Sequence, residues 1–161
     1  MMTHDRLLSL INYDPSTGVF TWVVSKGRAK AGSVAGHRQH DYLSFMIDGK
    51  RYSCHRIAVF YMTGEWPVDE VDHRNLIKTE NNWSNLRDAD KVLNAANTPK
   101  RSHNTSGFKG AFLNRRNGKW LAQIRVNKKQ IYLGNHDTPE LAHAAYCRAA
   151  KEFFGEFART S

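Results

Sequence analysis

The sequence predicts an α+β protein built from two small units. Three observations predict it. A small β-rich stretch feeds a helix in the first part of the chain, and three strands feed a helix in the last, which suits an α+β fold. A polar run at 97–107 (NTPKRSHNTSG), with Pro99 and Gly107, separates two sets of elements and reads as a linker. Charge is also unevenly placed: from 91 to 136 the chain carries ten Lys or Arg and no Asp or Glu, so this stretch supplies the whole formal net charge of +9. With 161 residues, 40% of them hydrophobic, two small cores suit the chain better than one large one. The expected division is 1–97, a linker at 98–106 and a second unit at 107–161.

The elements follow in order. Leu7, Leu8 and Ile11 give a short helical pattern over 4–11. Tyr13-Asp14-Pro15-Ser16-Thr17-Gly18 is turn chemistry, and 19–23 (VFTWV) reads as a strand. Residues 26–36, rich in Gly, Ala and Lys, read as a loop. Asp48-Gly49 between 42–47 and 50–53 is a strong hairpin signal. Ile57, Ala58, Phe60 and Tyr61 predict a helix over 55–63 that Gly64 ends, and Trp66-Pro67 stops regular structure. Residues 87–94 read as a loop entering a helix. After the linker, 108–112 and 130–133 read as strands flanking a longer one at 119–126, with turns at Asn117-Gly118 and Asn127-Lys128. In the long strand Trp120, Ala122, Ile124 and Val126 face one way, and Leu121, Gln123 and Arg125 the other. Thr138 is an N-cap and Pro139 the first helical residue of a helix with Ala142, Ala145, Tyr146, Ala149 and Phe153 at helical spacing, ended by Gly155. Its alanines let it lie close to the sheet, which leaves the sheet's other face open, carrying Lys109, Gln123, Arg125 and Tyr132. Trp120 and Phe112 are read as core.

Composition excludes several classes. Cys54 and Cys147 form no C-x-x-C pair, which argues against a disulfide framework or a cysteine zinc knuckle. There is no secretory apolar segment and no run long enough to span a membrane, so a soluble intracellular protein with no membrane partner is expected. A cationic block without interleaved acids faces phosphate or an acidic surface. His37, His40 and His55 lack ligand spacing and read as structural or surface residues.

Chemistry concentrates in 71–97. Hydrolysing a phosphodiester needs a base for water, a hard cation for the phosphate charge, and groups that hold both. His73 suits the first role, because its pKa lies near neutrality. Asp72 with an amide oxygen suits Mg2+ or Mn2+ keeping several waters. Adjacent strand residues point to opposite faces, so Asp72 and His73 can address one point only if the strand bends or ends there. Alone the pair is a weak signal: Asp-His dipeptides are common, and an Asn-rich loop is ordinary turn chemistry.

The ordered pieces add to this. Asp72-His73, then Asn85 in S-N-L-R, then Asn94 resembles the HNH nuclease family, whose ββα-metal fold is a hairpin and helix around one divalent ion. H-R-I-A (55–58), G-E-W-P (64–67), V-D-H (71–73) and the opening Y-D-P-S-T-G-V-F-T-W (13–22) resemble the phage-type homing endonucleases. That resemblance covers about 5–97, with the HNH core at 55–97 behind a small β-rich module. It implies His73 as general base, Asn85 holding the hairpin and orienting His73, and Asp72 and Asn94 as ligands of one Mg2+ or Mn2+. The family's last histidine is here Asn94, which favours those hard ions over Zn2+ or Ni2+. Arg87 and Lys91 read equally as phosphate contacts or as surface.

The second unit resembles the APETALA-type DNA-binding domain of ethylene-response factors, through S-G-F-K-G (106–110), G-K-W-L-A-Q-I-R (118–125), I-Y-L-G (131–134), the helix E-L-A-H-A-A-Y-C-R-A-A (140–150) and G-E-F-A (155–158). The resemblance implies a three-stranded antiparallel sheet packed on one helix, with the open sheet face in the major groove. It assigns DNA contacts to Lys109, Arg125 and Tyr132, with Arg115 and Arg116 in the first turn. Lys109 stands where the family has Arg and lacks its bidentate fork to guanine. Together the resemblances imply a metal-dependent endonuclease, nicking duplex DNA as a monomer inside a phage-infected bacterium. The alternative is a DNA-binding regulator whose nuclease-like half is inactive scaffold.

Overall fold

The computed structural model describes residues 2–25 and 27–160. It is a mixed α+β chain that divides into two compact units, the first ending at Ala89 and the second starting at Asp90.

In the first unit, α1 (His4–Leu8) is capped by Thr3, whose side chain accepts from the Arg6 amide. The helix ends sooner than its pattern predicts. Ile11 instead opens β1 (Ile11–Asp14), which pairs antiparallel with β2 (Val19–Trp22) in the register Ile11 to Trp22. A β-branched residue fits that pleated, buried place well. The intervening turn is tied by Asp14, whose carboxylate accepts from Ser16 N, Ser16 Oγ and Thr17 Oγ1. Part of the expected loop at 26–36 is a strand, β3 (Val34–Ala35), on the edge of β2; Lys26 lies outside the described residues.

A second meander, β4 (His37–Gln39), β5 (Tyr42–Ile47) and β6 (Lys50–Ser53), turns at Asp48 and Gly49 with φ of 48° and 75°, as a two-residue hairpin of matching twist requires. Chain direction then passes into α2 (Cys54–Thr63), which buries Cys54, Ile57, Ala58 and Phe60. It ends where Gly64, at φ 76°, donates its N–H to the Phe60 carbonyl. Leu7, Ile11, Tyr13, Phe20, Phe45, Ile57 and Phe60 share one core. Burial pushes the Cys54 thiol up to about 12.

Two further strands, β7 (Glu70–His73) and β8 (Leu86–Ala89), form an antiparallel ribbon in which Asp72 faces Arg87 and His73 faces Leu86. Residues 87–89, expected as loop, are strand because they complete this ladder. Arg56 on α2 donates to the carbonyls of Pro67 (2.8 Å) and Asp69 (2.6 Å), which fixes the approach into β7.

The second unit begins with α3 (Lys91–Ala96), capped by Asp90, whose carboxylate accepts from the Val92 and Leu93 amides. The strands β9 (Ala111–Asn114), β10 (Lys119–Val126) and β11 (Lys129–His136) form an antiparallel sheet in the order β11-β10-β9. The first strand starts later than 108. Gly110 sits at φ 78°, and a Cβ there would collide with the Tyr146 ring, so the backbone turns before it extends. Asn127 and Lys128, at φ 48° and 66°, make the tight turn into β11. That strand runs longer than its apolar pattern and carries a bulge opposite Ala122 and Gln123. Packed on one sheet face is α4 (Pro139–Phe154), with Thr138 Oγ1 accepting from the Leu141 amide. Ala111, Ala122, Ala142 and Ala145 form the tight contact, with Phe108, Trp120 and Leu133 around it. Cys147, half-buried on α4, has a thiol raised by burial. No helix among the described residues is long and apolar enough to cross a membrane.

Candidate functional site

The first unit gathers its polar chemistry at the end of β7. Asp72 and His73 are each 4% exposed. The strand ends at His73, where the Leu76 amide bonds back to the His73 carbonyl at 3.0 Å. Up to that point regular strand geometry sends the two side chains to opposite faces. Their partners differ accordingly.

Asp72 meets Arg87 across the ladder: Nε donates to Oδ2 at 2.9 Å and a terminal nitrogen lies 2.8 Å from the same oxygen. Both side chains are buried, so this is a charge-assisted pair in low dielectric. Arg87 is therefore neither a surface residue nor a simple phosphate contact, as its polar neighbourhood had suggested. It also borders a cleft of about 390 Å3 shared with Arg74, Trp83 and Ser84.

His73 lies on the other side. Its Nε2 is 3.2 Å from Asn81 Oδ1. The Asn81 amide nitrogen in turn donates to the Thr79 carbonyl at 3.1 Å, which identifies the atom facing His73 as the oxygen. The rings of His55 and Tyr42 pack against His73 at centroid distances of 5.3 Å and 6.1 Å. Burial lowers the His73 pKa; the Asn81 hydrogen bond and the Asp72 charge oppose that shift. His55 is lowered to about 4, chiefly by burial and next by the His73 charge. Its Nδ1 is buried without a hydrogen-bond partner. His55, read from sequence as structural or surface, thus packs edge-on against His73.

Asn85 stands at the far end of the connecting loop. Its Oδ1 accepts from the Asn75 amide at 3.1 Å, its Nδ2 donates to the Glu80 carbonyl at 2.8 Å, and its own carbonyl accepts from Arg74 N at 2.9 Å. One side chain thereby ties both ends of the loop. Asn94 lies on α3, in the second unit.

Among the described residues no group of three or more His, Cys, Asp or Glu is placed to hold a metal ion. The oxygen donors here suit a hard cation that keeps most of its waters. The Arg87 guanidinium beside the Asp72 carboxylate would weaken an ion's hold there.

The second unit presents a different surface. Arg125 and Tyr132 are exposed, Tyr132 by 61%, and Gln123 pairs with Tyr132 across the strands. Arg115 and Arg116 are exposed in the turn between β9 and β10. Two expectations change. Phe112 is 46% exposed instead of buried: it pairs with Leu121, on the face away from α4, while Ala111 takes the inward place. Lys109 does not present its ammonium on the open face. Nζ donates to the carbonyls of Ala96, Thr98 and Arg159 at 3.1, 2.6 and 2.9 Å, and burial lowers its pKa. A groove of about 850 Å3 within this unit is lined by Lys91, Lys100, Arg101, Phe112, Arg125 and Lys128, among others.

Sequence reasoning missed Asn81, the Asp72–Arg87 pair and the place of His55. Asn81 had a faint signal, as an asparagine four residues before Asn85 in a turn-rich run. The other two depend on partners distant in sequence.

Two comparisons with known proteins bear on these regions. An AP2-like ethylene-responsive transcription factor of Arabidopsis thaliana is 38% identical over 74 residues, a match that takes in 42% of this chain and spans 15% of the length of that protein. The model of the HNH endonuclease family matches residues 52–92, the segment that holds α2, β7, β8 and the loop from His73 to Asn85.

Proposed function

We propose that this chain is a metal-dependent DNA endonuclease of the HNH homing type, cutting with His73 as its base and gripping duplex DNA with the open sheet face of its second unit. The observation that carries the reading is His73. It is a buried, neutral imidazole at the end of β7, within the segment similar to HNH endonucleases, and its loop is pinned at both ends by Asn85.

In this reading His73 takes a proton from water, with Asn81 Oδ1 3.2 Å from its Nε2. Its lowered pKa keeps it neutral, hence competent as a base, at neutral pH. Asn85 holds the loop that carries the base, and Arg87 holds the Asp72 carboxylate. Asp72 and Asn94 would be the ligands of one Mg2+ or Mn2+, which supplies charge neutralisation at the phosphate and leaving oxygen when bound. The water attacks phosphorus in line and leaves 5′-phosphate and 3′-hydroxyl ends. One site per chain gives a nick by a monomer. Arg115, Arg116, Arg125 and Tyr132 contact the duplex, supported by the partial likeness to a transcription factor and by ten cations without an acid. The reading places the protein inside a phage-infected bacterial cell.

The test is conversion of supercoiled plasmid, and of phage and host genomic DNA, with Mg2+ or Mn2+ against an EDTA control. Metal-dependent open circles that vanish in His73→Ala are expected. One observation favours a second reading: Asp72 is engaged by Arg87 in a buried ion pair, as in a scaffold that no longer cuts. Salt-sensitive gel shifts without cleavage of any of these substrates would select that regulator.

A further inference from the structure

The sheet face that α4 leaves open carries its side chains in an order that bears on which bases it can meet. Strand pairing sets three rows across it. In the first, Phe112 lies beside Leu121 and Leu121 beside Asn135. In the second, Gln123 lies beside Tyr132, and in the third Arg125 lies beside Gln130. Partners on antiparallel neighbours share a face, so these side chains project together. Phe112, Arg125, Gln130, Tyr132 and Asn135 are exposed, and Leu121 and Gln123 are half-buried.

Cations stand at the two ends of this face and not in its middle. Arg115 and Arg116 occupy the turn into β10 at one end, and Arg125, Lys128 and Lys129 surround the turn into β11 at the other. Lys109 is drawn away to three backbone carbonyls, and Lys119 pairs with Asp137 at 3.0 Å. The first two rows therefore hold only amides, apolar groups and one phenol. Three strands about 4.8 Å apart make a ribbon roughly 10 Å wide. The major groove of B-DNA, about 12 Å wide, admits it, and the minor groove, about 6 Å wide, does not. Phosphates then meet the cations at the ends, and base edges meet the rows between.

We propose that the open face of the second unit selects A·T base pairs, with Gln123 and Asn135 taking adenine edges and Phe112 and Leu121 the thymine methyl. Adenine offers an N–H donor beside an acceptor, and a primary amide matches both with its oxygen and nitrogen. Guanine offers two acceptors, so the amide oxygen would oppose one of them. The thymine methyl suits apolar neighbours; cytosine lacks it and offers an N–H donor that Phe112 and Leu121 cannot receive. No Arg or Lys stands in these rows to fork guanine. The inference deepens the proposed function and rests on its reading of this face as the duplex-binding surface. The ten cations without an acid give affinity for any duplex, and these four side chains give choice.

The experiment reads binding, not cutting. The full-length protein, in EDTA, is equilibrated at fixed salt with duplexes that carry a random central segment, and the bound fraction is sequenced. Enrichment of A·T at adjacent positions is expected. On the preferred duplex, Gln123→Ala and Asn135→Ala should each weaken binding about 5–150-fold and relax the choice at one position, with unchanged melting. Replacing thymine by uracil in that duplex removes only the methyl. Wild-type affinity should then drop about four-fold, the worth of one buried carbon, and the difference should shrink in Phe112→Ala.

A bound pool enriched in G·C, or without base preference, overturns the proposal. Equal wild-type affinity for the thymine and uracil duplexes does so too, and that comparison needs no variant, so poor folding of one would not shield it. Gln123→Ala and Asn135→Ala proteins that bind every duplex equally more weakly would make both residues phosphate contacts, with the same result. The two readings separate. Salt-sensitive binding to all duplexes alike keeps the gripping face and removes the choice of bases, whereas binding to no duplex removes both.

Discussion

The two units place their polar groups in opposite ways. In the first, Asp72, His73, Asn81, Asn85 and Arg87 are all buried and bonded to one another or to backbone. In the second, Arg115, Arg116, Arg125 and Lys128 are exposed, in the stretch that holds no acid. Buried polar groups fix geometry, because each is costly to leave unsatisfied and so admits one arrangement. Exposed cations fix little, but they attract a polyanion and tolerate its sliding. On the proposed reading, the contrast is that between a part built for precision at one bond and a part built for residence on a long charged ligand. Substitutions in the first unit should register in catalysis and folding, and those in the second in affinity.

The largest expected effect is that of His73→Ala. Nicking should fall by at least about 100-fold, the usual worth of a general base, while gel-shift affinity holds. Parallel loss of binding would erase the separation between the units. Next comes the ion pair. Arg87→Ala leaves Asp72 buried and unpaired, and about 3–5 kcal/mol of stability should be lost in chemical denaturation. The double change Asp72→Leu with Arg87→Met should recover most of it. A single variant as stable as wild type would mean that the pair is open to water.

A smaller effect follows from His55. Its folded pKa, about 4, lies below the ordinary 6.5, so the unfolded chain binds the proton more tightly. Stability should be full above about pH 6.5 and fall as pH drops towards about 4, by up to about 3 kcal/mol. His55→Phe should flatten that slope in melts run without metal. The smallest effect is at the surface. Arg125→Ala should reduce DNA affinity about five-fold and lower the slope of log affinity against log salt by about 1, with unchanged melting. A loss of stability there would show that the second unit, too, uses its cations structurally, as Lys109 already does.

Local chemistry made much of the fold legible. Asp48-Gly49 demands positive φ and forms the hairpin it signals. Thr138 with Pro139 starts α4, and the alternation over Lys119–Val126 matches β10 residue for residue. What the sequence hid was long-range. Leu7, Leu8 and Ile11 sit at helical spacing, but pairing with Trp22 draws Ile11 into a strand. Arg87 looks like any loop arginine until the ladder sets it opposite Asp72. Phe112 looks like core, because hydrophobicity reports the desire for burial but not which face of a strand the partner helix covers. Asp72, His73 and Asn85 stood out by residue type. Asn81 did not, since an asparagine's role depends on what its amide faces.

The state of the two cysteines has a practical consequence for spectroscopy. Cys54 lies in the core with its thiol held near 12, and the Cys147 thiol is likewise raised by burial, so neither presents much thiolate at neutral pH. A cysteine introduced on each unit, such as Met62→Cys on α2 and Glu152→Cys on α4, would take a probe in preference to both native thiols. Paired spin labels or dyes would then report the distance between the two units, with and without DNA, in a chain whose own sulfur chemistry stays silent.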